Sequence, residues 1–400
     1  MIDISTAINK IIEESKLIGT CEKDLMESIG YTLAENIYSN DSLPPFNKSA
    51  MDGYAIKSKD SLICNENEKI CLDIVGLIKA GDCFEGKVDG KQAIKIMTGA
   101  PVPDDTDAVI QIENVELDEN KIIISEVVKK NRNIINIGEE LKVGDLALEV
   151  GQKIRASEIG LLASLGYSKV KVYKKPTLSV LTTGDELVDI TDSIENGKIR
   201  NSNEYSLKAL AKDLEVKSFG IIEDKKDVIK EKLKEAIEIS NIIITSGGSS
   251  TGDYDFIEDV LIELGADIKF NKIAIKPGKP VIFATTGEKL VFGLPGNPLS
   301  FITTYEEFVK PAILKMSGED IKENKFPVIL KHDIKCKVGR TNYVYVDIKK
   351  EDGKFYAYET GSQCSNQLLM ITKSNGIVIV PKDKGFVKKG EILDGKFIFQ

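Results

Sequence analysis

Three segments of this chain gather residue types that could handle a charged oxyanion. Ser246-Gly247-Gly248-Ser249-Ser250-Thr251-Gly252-Asp253 follows the apolar run Ile242 to Ile244 and precedes a helix pattern. Glycines there let backbone N–H groups approach an anion, and a helix N-terminus adds partial positive charge, so phosphate binding is one reading; a ligand-free strand-to-helix turn is the other. Thr182-Thr183-Gly184-Asp185-Glu186 makes a second such turn after Leu178 to Leu181. If both strands lie in one parallel sheet, the turns share its carboxyl edge, and phosphate-binding hydroxyls and backbone donors meet carboxylates suited to Mg2+. Asp224, Asp253 and Asp255 would extend that rim, although each acid taken singly is more often a cap or a solvated side chain. The third segment, Lys272-Ile273-Ala274-Ile275-Lys276-Pro277-Gly278-Lys279-Pro280, sets three lysines around a Pro-Gly turn. Lysines that close to a buried sheet edge repel unless an anion neutralises them, while a solvated edge is the plainer account.

These residues need a scaffold, and the apolar pattern supplies one. Strands are expected at Leu178 to Leu181, Val216 to Ile222 and Ile242 to Thr245. Helices are expected at Glu204 to Leu214, Asp227 to Ile239, Phe256 to Leu264 and Pro298 to Met316. The alternation predicts an α/β domain over 176–318 with a mostly parallel sheet and helices on both faces. Gly293-Leu294-Pro295-Gly296-Asn297-Pro298 is a rigid entry to the closing helix, with Pro298 in its first turn. Before this domain, 5–17 reads as an amphipathic helix capped by Ser5, which the apolar stretch Leu25 to Ile37 continues. The segment 40–144 reads as an inserted β-rich domain, and 1–39 with 145–175 as a discontinuous helical linking domain. The segment 319–400 returns to strands at Tyr343 to Ile348, Lys354 to Tyr358 and Gly376 to Pro381, a C-terminal β domain.

Composition excludes several chemistries. With 54 Lys and Arg against 63 Asp and Glu the net charge is −9, only four residues are Arg, and no basic run exceeds two residues, so nucleic acid is not an expected partner. The longest apolar run is four residues, as at Ile377 to Val380, far short of the roughly 20 that span a bilayer. Met1 to Lys10 has no apolar core, so a cytoplasmic location is expected. His332 is the one histidine, which removes most Ser-His-Asp, Cys-His and zinc-protease systems; in Lys-His-Asp-Ile it reads as the start of a strand with a structural role. The six cysteines form no C-x-x-C pair and read as free, mostly buried thiols, and Cys64, Cys71 and Cys83 are too irregularly spaced for a metal site. Gly81 to Lys87 has P-loop spacing, but Val88 stands where a hydroxyl should bind Mg2+ and no helix pattern follows.

Several motifs together resemble one family, the molybdopterin molybdenumtransferases, which include the C-terminal catalytic domain of gephyrin. The matching segments are Asn47-Lys48-Ser49-Ala50-Met51-Asp52-Gly53-Tyr54-Ala55, Met97-Thr98-Gly99-Ala100-Pro101-Val102-Pro103, Thr183-Gly184-Asp185-Glu186-Leu187, Ser246-Gly247-Gly248, Lys276-Pro277-Gly278-Lys279-Pro280 and Gly293-Leu294-Pro295-Gly296-Asn297-Pro298, in family order over nearly the whole chain. The resemblance implies an L-shaped homodimer of four-domain subunits, with a shared active-site cleft between the α/β domain of one subunit and the inserted region of the other. It implies insertion of molybdate into the dithiolene of adenylylated molybdopterin, with Mg2+-dependent cleavage that releases AMP and molybdenum cofactor. Contacts with the adenylyltransferase and with acceptor molybdoenzymes would follow from that place in the sequence of reactions.

Carried over by motif, Asp52, Thr98, Glu186, Asp224 and Asp255 match the family's active-site acids and hydroxyl, with Glu186, Asp224 and Asp255 as Mg2+ ligands. Thr183, Gly184, Ser246, Gly247, Gly248, Pro295 and Pro298 fall on the adenylate-binding turns. Lys272, Lys276, Lys279, Ser300, Arg340 and Ser365 fall where the family gathers molybdate and pyrophosphate ligands. The chain departs from the family pattern at Ile135, usually Arg, at Glu140, usually Asp, and at Met370, often Ser. Two other activities fit parts of the pattern: adenylylation of molybdopterin, for which an α/β domain alone suffices, and a non-catalytic scaffold of the same fold. The full Met51 to Ala55 motif and the retained acids favour insertion over both.

Overall fold

The computed structural model describes residues 1–65, 68–247, 256–322, 324–364 and 366–398. Gly248, Asp253, Asp255 and Ser365 therefore lie outside the described residues. The chain divides into two compact units, one of Met1–Ala34, Gly151–Arg155 and Lys169–Gln400, the other of Glu35–Val150 and Ala156–Ser168.

The first unit is built on a six-stranded sheet: β1 (Leu178–Thr183), β2 (Val216–Ile222), β3 (Ile242–Ser246), β4 (Asp267–Lys272), β5 (Pro280–Thr286) and β6 (Lys289–Leu294), in spatial order β2-β1-β3-β6-β5-β4. The pairings β2–β1, β1–β3 and β3–β6 are parallel, and the two joining β6, β5 and β4 are antiparallel, so the expected parallel sheet carries an antiparallel margin. Helices α1 (Asn203–Leu210), α2 (Lys226–Ile239) and α3 (Ile257–Glu263) intervene between strands, and α4 (Pro298–Thr304) and α5 (Lys310–Met316) close the domain. Both sheet faces are covered, which explains the unbroken apolar run in β3. Ile242 and Ile244 pack on one side with Leu207 of α1, Phe301 of α4 and Ile11 of the N-terminal helix Ile4–Glu14. Ile243 packs on the other with Leu233 of α2 and Val260 of α3.

Two expected helices are interrupted. The closing helix is broken by a π-helical turn, Tyr305–Val309, just before Pro311. Proline lacks the N–H that would continue the ladder and its ring crowds the carbonyl four residues back, and a wider turn accommodates both. After the N-terminal helix, Leu25 to Ile37 holds only a 3-10 turn, Leu25–Ser28. Gly30 takes a φ of +76° there, and beyond it the backbone of Ala34 donates to Lys171, because the segment lies against the strand Lys169–Tyr173.

The C-terminal segment of this unit is a closed barrel. Thr341–Glu351, Lys354–Glu359, Phe326–Leu330, Ile392–Phe397 and Gly376–Val380 pair in that order, and Gly376–Val380 pairs back onto Thr341–Glu351. Val328, Val346 and Val378 fill it. The short strand Ile275–Lys276 attaches in parallel to Thr341 and Asn342.

The second unit has its own six-stranded sheet, ordered Ala108–Gln111, Gly53–Ile56, Gln92–Ile96, Ile70–Ile78, Lys121–Ile124 and Glu116–Asp118. It encloses Tyr54, Ile56, Leu72 and Ile110 on one side and Ala55, Ile94, Ile96 and Val109 on the other. The thiols differ from expectation: all six are free, but only Cys64 is buried, Cys21 and Cys336 are half-buried, and Cys71, Cys83 and Cys364 are exposed. Cys71 sits at an outward position of the alternating strand Ile70–Ile78, where period-2 geometry turns it to solvent.

Candidate functional site

In the second unit the two quoted motifs meet. Gly53–Ile56 pairs with Gln92–Ile96, matching Gly53 to Ile96, so Asp52 and Thr98 emerge from the ends of neighbouring strands. Thr98 donates to Asp52 Oδ1 from both its backbone N–H and its hydroxyl, each at 2.7 Å. These bonds hold the Asp52 carboxyl below the usual carboxylate range and keep it ionised. The glycine after it has a steric reason: a Cβ at Gly53 would lie 2.0 Å from the Ile110 carbonyl oxygen. Ser49 exchanges backbone hydrogen bonds with Gly99 and Ala100, tying the first motif to the second.

In the first unit the parallel strands β2, β1, β3 and β6 end together. Their register matches Thr183 to Ile222, Thr182 to Ser246 and Ser246 to Leu294. Thr183, Gly184, Glu186, Asp224, Ser246, Gly247, Pro295 and Pro298 therefore share one sheet edge, as the shared-edge condition required. The turns approach closely: a Cβ on Gly247, whose φ is +94°, would lie 2.5 Å from the Thr183 carbonyl oxygen, and the Gly247 N–H donates to the Leu294 carbonyl at 3.2 Å. Asn203, which opens α1, was not singled out from the sequence. It donates to Ser246 Oγ at 2.8 Å and to the Gly296 carbonyl at 2.7 Å, clamping two of the turns. The hydroxyls of Thr182 and Thr245 and the Asn203 Oδ1 are buried with no partner among the described residues. Unsatisfied buried polar atoms of this kind suit a polar ligand.

Asp224 follows β2 at the same edge. Burial, together with the Asp185 and Glu186 carboxylates, raises its pKa above the ordinary value. Asp185 lies inside a quoted turn but received no role from the sequence, because only the fold brings it to Asp224. Among the described residues no three potential ligands converge as a closed metal cage. One or two carboxylates completed by substrate phosphates are nevertheless a donor set that Mg2+ uses, and the mutual repulsion at Asp224 is what a cation relieves.

The lysine segment leads to a different surface. Pairing of Ile275–Lys276 with Thr341 and Asn342 brings Lys276 near Arg340, 64 positions away in sequence order. Lys276, Lys279, Ser300 and Arg340 line one cavity of about 660 Å3, and Ser300 is 5% exposed. None of the three cations has an ion-pair partner among the described residues. Gly278 allows the close turn, since a Cβ there would meet the Thr304 side chain at 2.4 Å. Lys272, at the end of β4, does not line the cavity; His332 and Cys336 do.

Comparison with known proteins gives three matched regions. Family models match residues 2–166 as "MoeA N-terminal region (domain I and II)", 179–315 as "Probable molybdopterin binding domain" and 327–395 as "MoeA C-terminal region (domain IV)". A molybdopterin molybdenumtransferase of Staphylococcus epidermidis is 34% identical over 399 residues, covering 98% of this chain and 94% of that protein. One from Staphylococcus aureus is 34% identical over 400 residues with the same coverage. The crystal structure of the molybdopterin biosynthesis moeA protein from Pyrococcus horikoshii OT3 superposes with a TM-score of 0.85 at 29% identity, covering 100% of both chains. Three matched regions in family order, and relatives aligned from end to end, place the chain in the MoeA family of molybdopterin molybdenumtransferases.

Proposed function

We propose that the protein inserts molybdate into the dithiolene of adenylylated molybdopterin and cleaves the adenylate, releasing AMP and molybdenum cofactor. The observation that carries this reading is one compact unit holding both a sheet edge of glycine- and hydroxyl-rich turns and a cavity lined by Lys276, Lys279 and Arg340, cations without an ion-pair partner among the described residues. The turns Thr183-Gly184, Ser246-Gly247 and Pro295 to Pro298, with Gly248 by motif, bind the adenylate through backbone donors and hydroxyls. Lys276, Lys279, Ser300 and Arg340, with Lys272 and Ser365 by motif, concentrate and orient molybdate beside the dithiolene sulfurs. Bound molybdate then supplies or positions the oxygen that attacks the phosphoanhydride. Glu186 and Asp224, with Asp255 by motif, would hold Mg2+, which supplies neutralisation of the pyrophosphate charge. Asp52 and Thr98 join the reading by motif alone, as the active-site acid and hydroxyl of the second unit, and the two bonds from Thr98 hold the Asp52 carboxyl below the usual carboxylate range. A homodimer and a cytoplasmic location belong to the same proposal, as does the division into four domains. Among the described residues no helix is long and apolar enough to cross a membrane.

The test is AMP release from adenylylated molybdopterin by the purified protein with Mg2+, with and without molybdate. Molybdate-dependent release is the expected result. Tight adenylate binding without release under either condition would instead mark a binding protein.

A further inference from the structure

The single histidine lies in the bend between the strands Phe326–Leu330 and Ile334–Lys335 and lines the cavity that Lys276, Lys279, Ser300 and Arg340 also line. A histidine retained for structure commits its buried ring nitrogens to protein partners. His332 does not: its Nδ1 is buried with no hydrogen-bond partner among the described residues, and no other bond to the ring is formed there. Since Nδ1 is the ring's one buried unpaired nitrogen, Nε2 is the accessible one. A buried N–H without an acceptor carries the full desolvation penalty of a donor, whereas an under-satisfied lone pair is better tolerated. In the neutral ring the proton accordingly belongs on Nε2, the accessible nitrogen of a residue that lines the cavity.

We propose that His332 is a further binding residue for the oxyanion in this cavity, donating from Nε2–H to one oxygen of a tetrahedral dianion of the molybdate class. This rests on the function proposed above and adds to it a residue of a different kind. Lys276 and Lys279 are flexible cations that attract any anion. The imidazole has two side-chain torsions and one edge held in protein, so its donor has a fixed direction, and fixed donors lose little freedom on binding. Together with the rigid fork of Arg340 it would set the orientation of the tetrahedron, while the lysines set its local concentration.

Two substitutions test this. Leu at 332 fills a similar volume and removes the donor; Gln can return an N–H to the neighbourhood of Nε2. Molybdate binding is measured directly by equilibrium dialysis of the full-length protein, and AMP release is titrated with molybdate. His332→Leu should weaken molybdate binding roughly tenfold, the scale of one hydrogen bond to a charged group. The loss should appear in KM for molybdate, with adenylate affinity unmoved, and His332→Gln should recover most of it. Wild-type affinity in His332→Leu overturns the proposal, and so does an equal loss in the Leu and Gln variants accompanied by a lowered Tm, which would mark a structural ring. If the wild-type protein neither binds molybdate nor releases AMP, the functional reading fails and takes this one with it. If the wild type does both and His332→Leu matches it, only the role of His332 falls.

Discussion

Replacing Gly247 by Ala isolates the contribution of one backbone turn. Its φ of +94° lies in the left-handed region, where a Cβ costs about 1 to 2 kcal/mol. The larger obstacle is steric: the added carbon would stand 2.5 Å from the Thr183 carbonyl oxygen. Ordinary carbon–oxygen contact begins at about 3.3 Å, so either the turn or the end of β1 must move by roughly 0.8 Å. Both belong to the edge proposed to hold the adenylate, and neither atom in the clash is the tip of a flexible side chain. A misplacement of about 1 Å in a positioned site can cost on the order of 100-fold in rate. We therefore expect Gly247→Ala to lower molybdate-dependent AMP release by about that factor, with a far smaller change in Tm. Gly160→Ala is the control. It lies in the helix Ala156–Ser164 of the second unit, its added carbon would meet no heavy atom within 4 Å among the described residues, and its φ is not in the left-handed region. Turnover of Gly247→Ala within threefold of wild type, or equal losses in the two variants, would refute the steric reasoning.

Asp224→Asn removes the carboxylate that Asp185 and Glu186 disfavour. The variant should melt above the wild type in chelator and gain less from added Mg2+; an ion at ten times its Kd adds about 1.4 kcal/mol to the protein that binds it. Equal Mg2+-induced shifts in both would exclude Asp224 as a ligand. For pH dependence the clearest group is Glu263, whose bonds from Lys226 and Lys230 lower its pKa to about 2. The folded value lies below the unfolded one, so this contribution is present above the ordinary Glu pKa and is lost as pH falls through about 2. The stability difference between wild type and Glu263→Gln should shrink steadily below about pH 4.5; a difference that grows on acidification would contradict the assignment.

The phosphate-type turns were legible because their signals are local: Gly, Ser and Thr directly after an apolar run. Their meeting at one edge was legible only as a condition, since it depends on which strands pair, and the β1–β3–β6 order supplies it. Asn203, Asp185 and His332 were not legible. Each meets neighbours that the chain brings up from far away, and nothing next to Asn203 in sequence announces that it will reach both Ser246 and Gly296, 43 and 93 positions on. The closing helix was misread as continuous because its apolar period runs through Pro311, while the backbone widens into a π turn before it. The sole histidine was discounted because its flanking residues suggested a strand start, and a local pattern carries no information about a cavity wall.

The same helix explains how the two surfaces proposed to handle anions are kept in register. Pro298, at the start of α4, follows the turn of the sheet edge, and Ser300, two residues on, lines the cation cavity. The opposite cavity wall, with Arg340 and His332, belongs to the barrel, so the cavity keeps its shape only while the barrel is fixed to this helix. Polar contacts supply that fixation: Thr303 Oγ1 and Tyr345 Oη lie 2.9 Å apart, and Tyr343 donates to Glu307 Oε1 at 2.7 Å. Lys396 pairs with the other Glu307 oxygen, and Glu307 is 6% exposed. Breaking such a buried pair from one side costs about 3 to 5 kcal/mol, whereas the intact pair adds little over apolar packing. A buried carboxylate joining two barrel strands to the π turn is therefore poorly explained by stability alone. It is better explained by the geometry it enforces, because a purely apolar contact could slide, and a shift there would separate Ser300 from Arg340.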